Sequence, residues 1–336
     1  MSRFLLSEFI YERYSDRLDR AVSDASVRRG LDIQFEFIPE DGSRLDTDIL
    51  PEIIGGYFST DIRENDLGRP FFGAVTRSEN LEWLHVAHAG TDDPVFQSLF
   101  ERGVKISNSS GSAAEPIALT AFAAILALDR GLPQFAKAQR EKEWVPRTPA
   151  ETPRDLRGQT MLIYGLGAIG EKIAKFATAV GMRVVGIKRS YPGASAAGVI
   201  HKWAPPEHFL DLLPSCDWLV VTAPLTTETH GLVSDEVMSQ LPRGAFVVNV
   251  ARGAMLDEAA LLTHLRSGQI GGAYLDVTQE EPLPSSSDLW HAPNLILTPH
   301  DSSPSSGNAE RADEYFLSDF DRWARGLPLE REVTDR

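Results

Sequence analysis

The sequence predicts an α/β fold made of two doubly wound, parallel-sheet domains that flank a cleft. The chain has 336 residues, which is more than a single common domain holds. From residue 160 onward, short apolar runs alternate with helical patterns, as in a parallel sheet whose strands are joined by helices. A glycine-rich turn begins only near the middle of the chain, so another folded unit precedes it. We therefore expect one domain over 108–299, inserted into a second domain formed by 1–107 and 300–336.

The discontinuous domain is expected to be a small α/β unit. Short apolar runs between polar or glycine-containing turns predict its strands, at 33–38, 53–58, 84–86 and 104–106. Apolar residues at helical spacing predict a helix over 92–102, which Gly103 ends, and another over 310–325 near the end of the chain.

A long helix over 115–130 opens the central domain and is apolar on nearly every face. Gly131 and Pro133 stop it. Such a helix is buried on all sides, either inside its own domain or between subunits. We expect this helix to lie in the two-fold interface of a homodimer, an expectation that rests also on the family resemblance given below. The charged segment 141–158, which contains three prolines, is expected to be an ordered surface connection.

The alternating pattern of the central domain gives its parallel sheet. A helix is predicted over 168–180, where apolar residues form a stripe that ends at Gly181. The strands are predicted at 161–164, 183–187, 218–222, 246–250 and 272–277.

Charge and composition exclude several classes of function. The formal net charge is −15, and such an acidic surface repels phosphodiester backbones and anionic lipids, so we expect no nucleic-acid or membrane partner. The single cysteine, Cys216, lies in an apolar run and is interpreted as a small apolar filler, which indicates a reducing compartment. Glu8 and Glu12 interrupt the apolar start of the chain before a signal peptide can develop. We expect a cytoplasmic protein, and no residue spacing indicates a metal site.

A glycine motif follows the first strand of the central domain. Gly165 permits a tight turn, Gly167 lets a pyrophosphate approach the backbone, and Gly170 allows close packing of helix on strand. The N–H groups at the helix start, around Ala168 and Ile169, then face the phosphates. The strand, turn, helix and strand context is complete, so the sequence predicts a Rossmann-like dinucleotide site.

A basic turn follows the second strand of that motif. NAD-binding turns usually carry an acidic residue there to accept the ribose hydroxyls, whereas this chain has Lys188, Arg189 and Ser190. Lysine and arginine attract a 2′-phosphate, and the serine hydroxyl can hydrogen-bond to it. We therefore predict that NADP(H) is preferred over NAD(H).

Three polar residues lie in segments that follow strand-like runs: Arg252, Glu281 and His300. Because strand ends converge on the ligand crevice of a doubly wound sheet, these side chains are expected to meet there. Five ordered motifs accompany them, namely GLGAIG at 165–170, APLTTET at 223–229, VNVARG at 248–253, DVTQEEPLP at 276–284 and TPH at 298–300.

With these motifs the chain resembles the D-isomer-specific 2-hydroxyacid dehydrogenase family, from about residue 53 to 325. The resemblance implies that Arg252 holds the substrate carboxylate and carbonyl oxygen. It implies that His300 exchanges a proton with the carbonyl oxygen, and that Glu281 orients His300 and stabilises its protonated form. Further residues of the motifs are expected to contact the cofactor, namely Ala223, Pro224, Thr229, Val250, Ala251 and Asp276.

The resemblance also implies a substrate loop at 86–92. The backbone N–H groups around Ala89 and Gly90 would receive the substrate carboxylate. His88 either lines the pocket or only packs, and both readings stay open.

The function implied is an NAD(P)-dependent oxidoreductase that reduces small 2-keto acids to D-2-hydroxy acids. Glyoxylate, hydroxypyruvate and bulkier aryl pyruvates all remain open as substrates. One alternative is a dinucleotide-sensing, partner-binding protein of the same fold. Another is a hydride-transfer enzyme of the same superfamily that acts on formate or phosphite.

Overall fold

A computed structural model describes residues 1–91, 93–149, 152–191 and 198–333. The chain divides into two compact units. Unit 1 consists of Met1–Ser112 and Ser305–Arg336, and unit 2 is Ala113–Pro304. Each unit is built around its own parallel sheet.

Unit 1 holds a five-stranded sheet in the order β2-β1-β3-β4-β5, and all its strand pairs are parallel. Its elements are β1 Ser2–Leu6, α1 Glu8–Arg29, β2 Ile33–Phe37, β3 Ile53–Phe58, α2 Thr60–Glu64, α3 Gly68–Val75, β4 Trp83–Val86, α4 Pro94–Glu101, β5 Lys105–Asn108 and α11 Asn308–Ala324.

An aromatic cluster explains why the end of the chain belongs to unit 1. On α11, Phe316 and Phe320 are fully buried against Phe4 of β1 and Trp83 of β4. Aromatic side chains of this size bury 150–250 Å² each. Their burial fastens α11 to the N-terminal sheet, although more than 200 residues separate them in sequence.

Unit 2 holds a seven-stranded parallel sheet in the order β12-β11-β10-β9-β6-β7-β8. Its elements are α5 Ala114–Asp129, α6 Leu132–Glu141, β6 Thr160–Tyr164, α7 Ala168–Ala179, β7 Arg183–Ile187, β8 Lys202–Ala204, α8 Phe209–Leu212, β9 Trp218–Val221, α9 Asp235–Gln240, β10 Ala245–Asn249, α10 Glu258–Ser267, β11 Ile270–Leu275 and β12 Leu295–Leu297. The strand order reverses between β6 and β9, and ligands of doubly wound sheets bind at such a switch point.

The predicted α/β class with two parallel sheets is confirmed, and most predicted elements lie within two or three residues of the observed ones. Several elements were not predicted, among them α2, α3, β8, α8, α9 and α10. The N-terminal residues form β1 and α1, with Ser7 capping the helix by accepting a hydrogen bond from the Ile10 N–H. After Gly131 a second helix, α6, follows at once. The prediction for Asp92 lies outside the described residues.

The described part of the chain contains no single helix that is long and apolar enough to cross a membrane, although α5 and α6 together pass that test as a pair bent by 69°. Among the same residues there is no group of three or more histidine, cysteine or acidic side chains that is arranged to hold a metal ion. Cys216 is fully buried in the core of unit 2, and this burial raises the pKa of its thiol to about 12.

Candidate active site

The glycine turn between β6 and α7 is shaped by close backbone approaches. Gly165 has φ +108°, and a Cβ there would lie 2.5 Å from the Ala223 nitrogen. A Cβ at Gly170 would lie 2.3 Å from the Gly165 carbonyl oxygen. These two positions therefore accept only glycine, the first because of both its backbone conformation and its neighbour, the second because helix and turn touch.

Gly167 differs from its two partners and fits a bound phosphate. It is exposed, and a Cβ there would have no atom within 4 Å. No side chain caps α7, whose first N–H groups have no partner within the helix. An open backbone at an uncapped helix N-terminus suits the pyrophosphate of a dinucleotide, so the residues present fit this cofactor.

A further glycine, Gly186 in β7, supports the same turn. A Cβ at Gly186 would lie 1.9 Å from a methyl carbon of Leu166, the residue between the first two glycines of the motif. Leu166 is fully buried, and its N–H donates to the Ile187 carbonyl oxygen at 3.2 Å. The role of Gly186 was not predicted, because the sequence of a strand does not show which side chain packs over a glycine within it.

The basic turn after β7 is held at its backbone while its side chains face outward. The Trp203 indole N–H donates to the Lys188 carbonyl oxygen at 3.0 Å. Lys188 is half-buried, and Arg189 and Ser190 are exposed. Arg189 contributes to a lowered pKa of Glu228, after the hydrogen bond that the Thr226 hydroxyl donates to this carboxylate. Glu228 lies on the loop after β9, so the two loops flanking the glycine turn face each other with opposite charges.

The loop after β9 is closed by its own side chains. The Thr229 hydroxyl donates to the Pro224 carbonyl oxygen at 2.8 Å and accepts from the Thr226 N–H at 2.7 Å. Thr222 ties the loop to the glycine turn, because its hydroxyl donates to the Gly165 carbonyl oxygen at 2.6 Å. Ala223 and Thr229 are buried and Pro224 is exposed, so the described contacts of Thr229 fix the shape of the loop.

Arg252 is presented by a turn that a buried asparagine organises. Asn249, the last residue of β10, is fully buried. Its amide donates to the Arg252 carbonyl oxygen at 2.9 Å, and its side-chain oxygen accepts from the Ala251 N–H at 3.0 Å. Val250 and Ala251 are buried in this turn, and Arg252 is half-buried. Asn249 stands inside the VNVARG motif, but its role was not predicted.

The turn of Arg252 packs directly on the loop that carries Glu281. A Cβ at Gly253 would lie 2.0 Å from the carbonyl carbon of Thr278, so glycine is required for the two loops to meet. The Thr278 N–H then donates to Glu281 Oε1 at 3.0 Å. The arginine and the carboxylate are thus placed by touching loops at the carboxyl ends of neighbouring strands, β10 and β11.

Asp276, at the end of β11, organises the segment that carries His300. Its buried carboxylate accepts from the Thr298 hydroxyl at 2.6 Å, from the Asp301 N–H at 3.1 Å and from the Ser302 N–H at 3.0 Å. The Ser302 hydroxyl also donates to it. Its carbonyl oxygen accepts from the His300 N–H at 2.8 Å. The described contacts of Asp276 therefore position the histidine segment.

His300 and Glu281 are brought together. His300 Nδ1 lies 2.8 Å from Glu281 Oε2, and the two side chains are 49% and 40% exposed. His300 has φ +53°, a left-handed conformation that is uncommon for a residue other than glycine and that recurs at functional sites. With Nδ1 turned to the carboxylate, Nε2 is the ring nitrogen left to exchange a proton with a substrate.

The predicted substrate loop lies in unit 1, after β4. The His88 ring meets Phe58 and Phe96 edge to face, with centroids 5.9 and 6.1 Å apart, and burial lowers its pKa. The Asn108 amide donates to the Ala89 carbonyl oxygen at 2.8 Å. Ala89 is exposed and Gly90 is half-buried. His88 thus packs against two aromatic rings.

Comparisons with known proteins identify the family. The model of the D-isomer specific 2-hydroxyacid dehydrogenase NAD-binding domain matches residues 122–302, more than half of the chain. A glyoxylate reductase from Pyrococcus horikoshii is 33% identical over 242 residues, which is 70% of this chain and 71% of the reductase. The chain belongs to the D-isomer specific 2-hydroxyacid dehydrogenase family. Members of this family are oxidoreductases of small 2-keto and 2-hydroxy acids, and unit 2 contains the family's NAD(P)-binding domain.

Other relatives of the same family differ in length or in chemistry. D-3-phosphoglycerate dehydrogenase from Rattus norvegicus is 31% identical over 255 residues, and the chain spans about half of its length, 47%. A D-isomer specific 2-hydroxyacid dehydrogenase from Xanthobacter autotrophicus, solved with NADPH and MES, has a TM-score of 0.73 and 28% identity, and the match covers 99% of this chain and 98% of that one. A glyoxylate reductase from Paecilomyes thermophila, 22% identical with a TM-score of 0.74 over 99% and 98% of the two chains, shows the same fold.

Proposed function

We propose that the chain reduces small 2-keto acids to D-2-hydroxy acids, with His300 as the proton donor. The observation that carries this proposal is the 2.8 Å hydrogen bond between His300 Nδ1 and Glu281 Oε2. A pair this exposed contributes only about 0–1 kcal/mol to stability. Two loops and a left-handed backbone nevertheless hold it in place, which favours a role in chemistry over one in folding.

Each residue of the site has a distinct task in this reaction. The nicotinamide, when bound, supplies the hydride for reduction and accepts it in the reverse direction. His300 holds a proton on Nε2 and gives it to the carbonyl oxygen, while Glu281 fixes the ring through Nδ1. The Arg252 guanidinium offers two N–H groups in one plane, which match the carboxylate and carbonyl oxygens of a 2-keto acid.

We propose that residues of both units take part in ligand binding. From unit 1, the N–H groups near Ala89 and Gly90 would also bind the carboxylate of the acid, and His88 would line the pocket. We assign the dinucleotide to unit 2, at the glycine turn and along the loops that carry Ala223, Val250 and Ala251. Glyoxylate, hydroxypyruvate and aryl pyruvates are the substrates to compare, since the pocket residues named here do not select among them.

NADP(H) is proposed as the preferred cofactor. Arg189 and Ser190 are exposed beside the glycine turn, and Lys188 is half-buried next to them, where a 2′-phosphate would be placed. The Xanthobacter relative was solved with NADPH, which supports this choice.

A panel of 2-keto acids tests the proposal, with NADPH oxidation measured by absorbance. We expect turnover with at least one acid, and a loss of about 10²–10⁴-fold in His300→Gln. His208→Gln is the matched control, because His208 is an exposed histidine whose Nδ1 lies 3.1 Å from the Asp211 carboxylate. Near-normal turnover in His300→Gln would contradict the role of His300. Tight NADPH binding without turnover of any acid would favour a dinucleotide sensor.

We also propose that the chain forms a homodimer through α5. Leu119 and Leu126 of α5 are 52% and 37% exposed, and Leu132 and Phe135 of α6 are 53% and 40% exposed. A permanent dimer interface would cover such side chains and bury about 2,000 Å² or more. Sedimentation should give a dimer at micromolar concentration, and Leu119→Glu should shift it to monomer. A wild-type monomer would refute this proposal.

A further inference from the structure

A cavity lies entirely within unit 1, away from the site residues described above. It has a volume of about 430 Å³, in the range of small-molecule sites. Its walls come from α3, the turn that ends this helix, and the connection after β2. It shares no lining residue with the loop at 86–91, the glycine turn or the histidine segment. The residues that distinguish it are Arg44, Arg69, Gly73, Thr76 and Arg77.

Two of the arginines flank a glycine of α3 in the chain. Arg69 and Gly73 are four residues apart and lie on the same face of α3, and Arg77 follows just beyond the end of this helix at Val75. A Cβ at Gly73 would have no atom within 4 Å. Glycine in the body of a helix is destabilising relative to alanine, and here it leaves the floor between two guanidinium groups open.

The three arginines lack acidic partners. Among the described residues, no carboxylate lies within ion-pair distance of Arg44, Arg69 or Arg77, whereas Arg3, Arg17 and others in unit 1 are paired. All three side chains are exposed to solvent at this cavity, so in a chain of net charge −15 they form a local cluster of positive charge that is accessible to an anion from solution.

Neighbouring contacts hold the site in place without neutralising it. Arg77 Nε donates to the Gly73 carbonyl oxygen at 2.6 Å, which holds that guanidinium against the last turn of α3. Arg102 donates to the Thr76 carbonyl oxygen at 2.7 Å and so satisfies the end of the same turn. In the loop that contains Gly42 and Arg44, the Asp41 carboxylate accepts from the Ser43 N–H at 2.8 Å, a contact within that loop.

We propose that this cavity binds a small anion with at least two phosphate groups. A guanidinium offers paired N–H donors that match phosphate oxygens, and arginines on both sides of an open floor suit charges at two places on one ligand. The shared chemistry includes inorganic pyrophosphate and phosphorylated sugars. Thr76 and the backbone of Gly73 form the floor under the ligand.

Isothermal titration calorimetry of the full chain tests the proposal, with sodium pyrophosphate and fructose 1,6-bisphosphate as the two probes. Saturating NADP⁺ is present throughout, so that the glycine turn is occupied, and the ionic strength is held constant. We expect saturable binding of at least one probe, weakened at least tenfold in Arg69→Gln/Arg77→Gln. Stronger binding of pyrophosphate would assign the site to the inorganic ligand, and stronger binding of the sugar would assign it to a phosphorylated metabolite.

Two further variants separate a site from general charge attraction. Arg20→Gln/Arg28→Gln removes the same charge from the exposed surface of α1 and should leave binding unchanged. Gly73→Leu keeps the charge, favours the helix and fills the floor, so it should weaken binding as much as the arginine variant. Absence of saturable binding, or equal weakening by both arginine pairs, would overturn the proposal. The titration records binding heat, so a failed reductase assay would not alter its outcome.

Discussion

Replacing Asp276 with asparagine keeps the size of this side chain but should weaken the hydrogen bonds that hold the segment of His300. Asp276 is 4% exposed, and three hydrogen bonds converge on its Oδ1 atom, from Thr298, Asp301 and Ser302. Hydrogen bonds to a charged group contribute about 1.5–3 kcal/mol each, against about 0.5–1.5 kcal/mol for neutral ones. An asparagine that keeps these three contacts loses about 1 kcal/mol in each. We therefore expect a decrease of about 3 kcal/mol in the free energy of unfolding.

The same substitution should reduce turnover through the position of His300. Urea unfolding measures the stability, and kcat and KM are measured with one 2-keto acid. We expect kcat to fall more than tenfold with little change in the affinity for a dinucleotide fragment such as 2′,5′-ADP, because the described contacts of Asp276 position the segment of His300. Asp288→Asn is the control, since that carboxylate is 65% exposed and pairs with Arg266 at the surface. If Asp276→Asn unfolds like the control and keeps its kcat, the positioning role is wrong.

Three further outcomes are expected. Arg252→Ala should raise KM and lower kcat for the 2-keto acid while NADPH binding is preserved, and unchanged kinetics would remove Arg252 from the substrate site. Arg189→Ala should narrow the ratio of kcat/KM for NADPH over NADH, mainly by weakening NADPH; a wild-type ratio at or below one would refute the cofactor assignment itself. Burial lowers the pKa of His85 from 6.5 to about 3. Between these two pH values the unfolded chain binds a proton at this histidine that the folded chain does not bind. The free energy of unfolding therefore decreases as the pH falls from 6.5 toward 3. The contribution of His85 to the slope of the unfolding free energy against pH approaches about 1.4 kcal/mol per pH unit. Urea unfolding between about pH 6 and 4 should give a smaller slope for His85→Gln. An unchanged slope would contradict the lowered pKa of His85.

Most of the fold could be predicted from the sequence, because the patterns that indicate its helices and strands are local. The glycine turn, the strands before it and after it, and α11 all follow from periodicity and stop residues within short windows. The N-terminal strand was missed for a physical reason: Phe4 and Leu6 belong to the same buried cluster as α11, and no local pattern reveals that α11 packs against β1.

The site was predictable in its residue types but not in its supports. Arg252, Glu281 and His300 stand after strands, which sequence can show, and the structure brings two of them into contact. The buried Asn249, the Thr298 hydroxyl and the left-handed backbone at His300 depend on contacts made across neighbouring strands. Propensity describes one segment at a time, so it carries no information about such cross-strand contacts.

Because Gly186 and Leu166 are in contact, these two positions, twenty residues apart in sequence, share one packing volume, and the size of one side chain limits the size of the other. Neither can change by itself: any side chain at Gly186 overlaps the leucine, and a smaller residue at 166 leaves a void beneath the turn. Double-mutant cycles on such a pair should show strong coupling, because Leu166→Ala opens the space that Gly186→Ala fills. Substitutions at the turn after β7 that are meant to change the cofactor preference therefore act next to a strand whose position is already restricted by the glycine turn. The turn after β7 and the glycine turn have to be redesigned together.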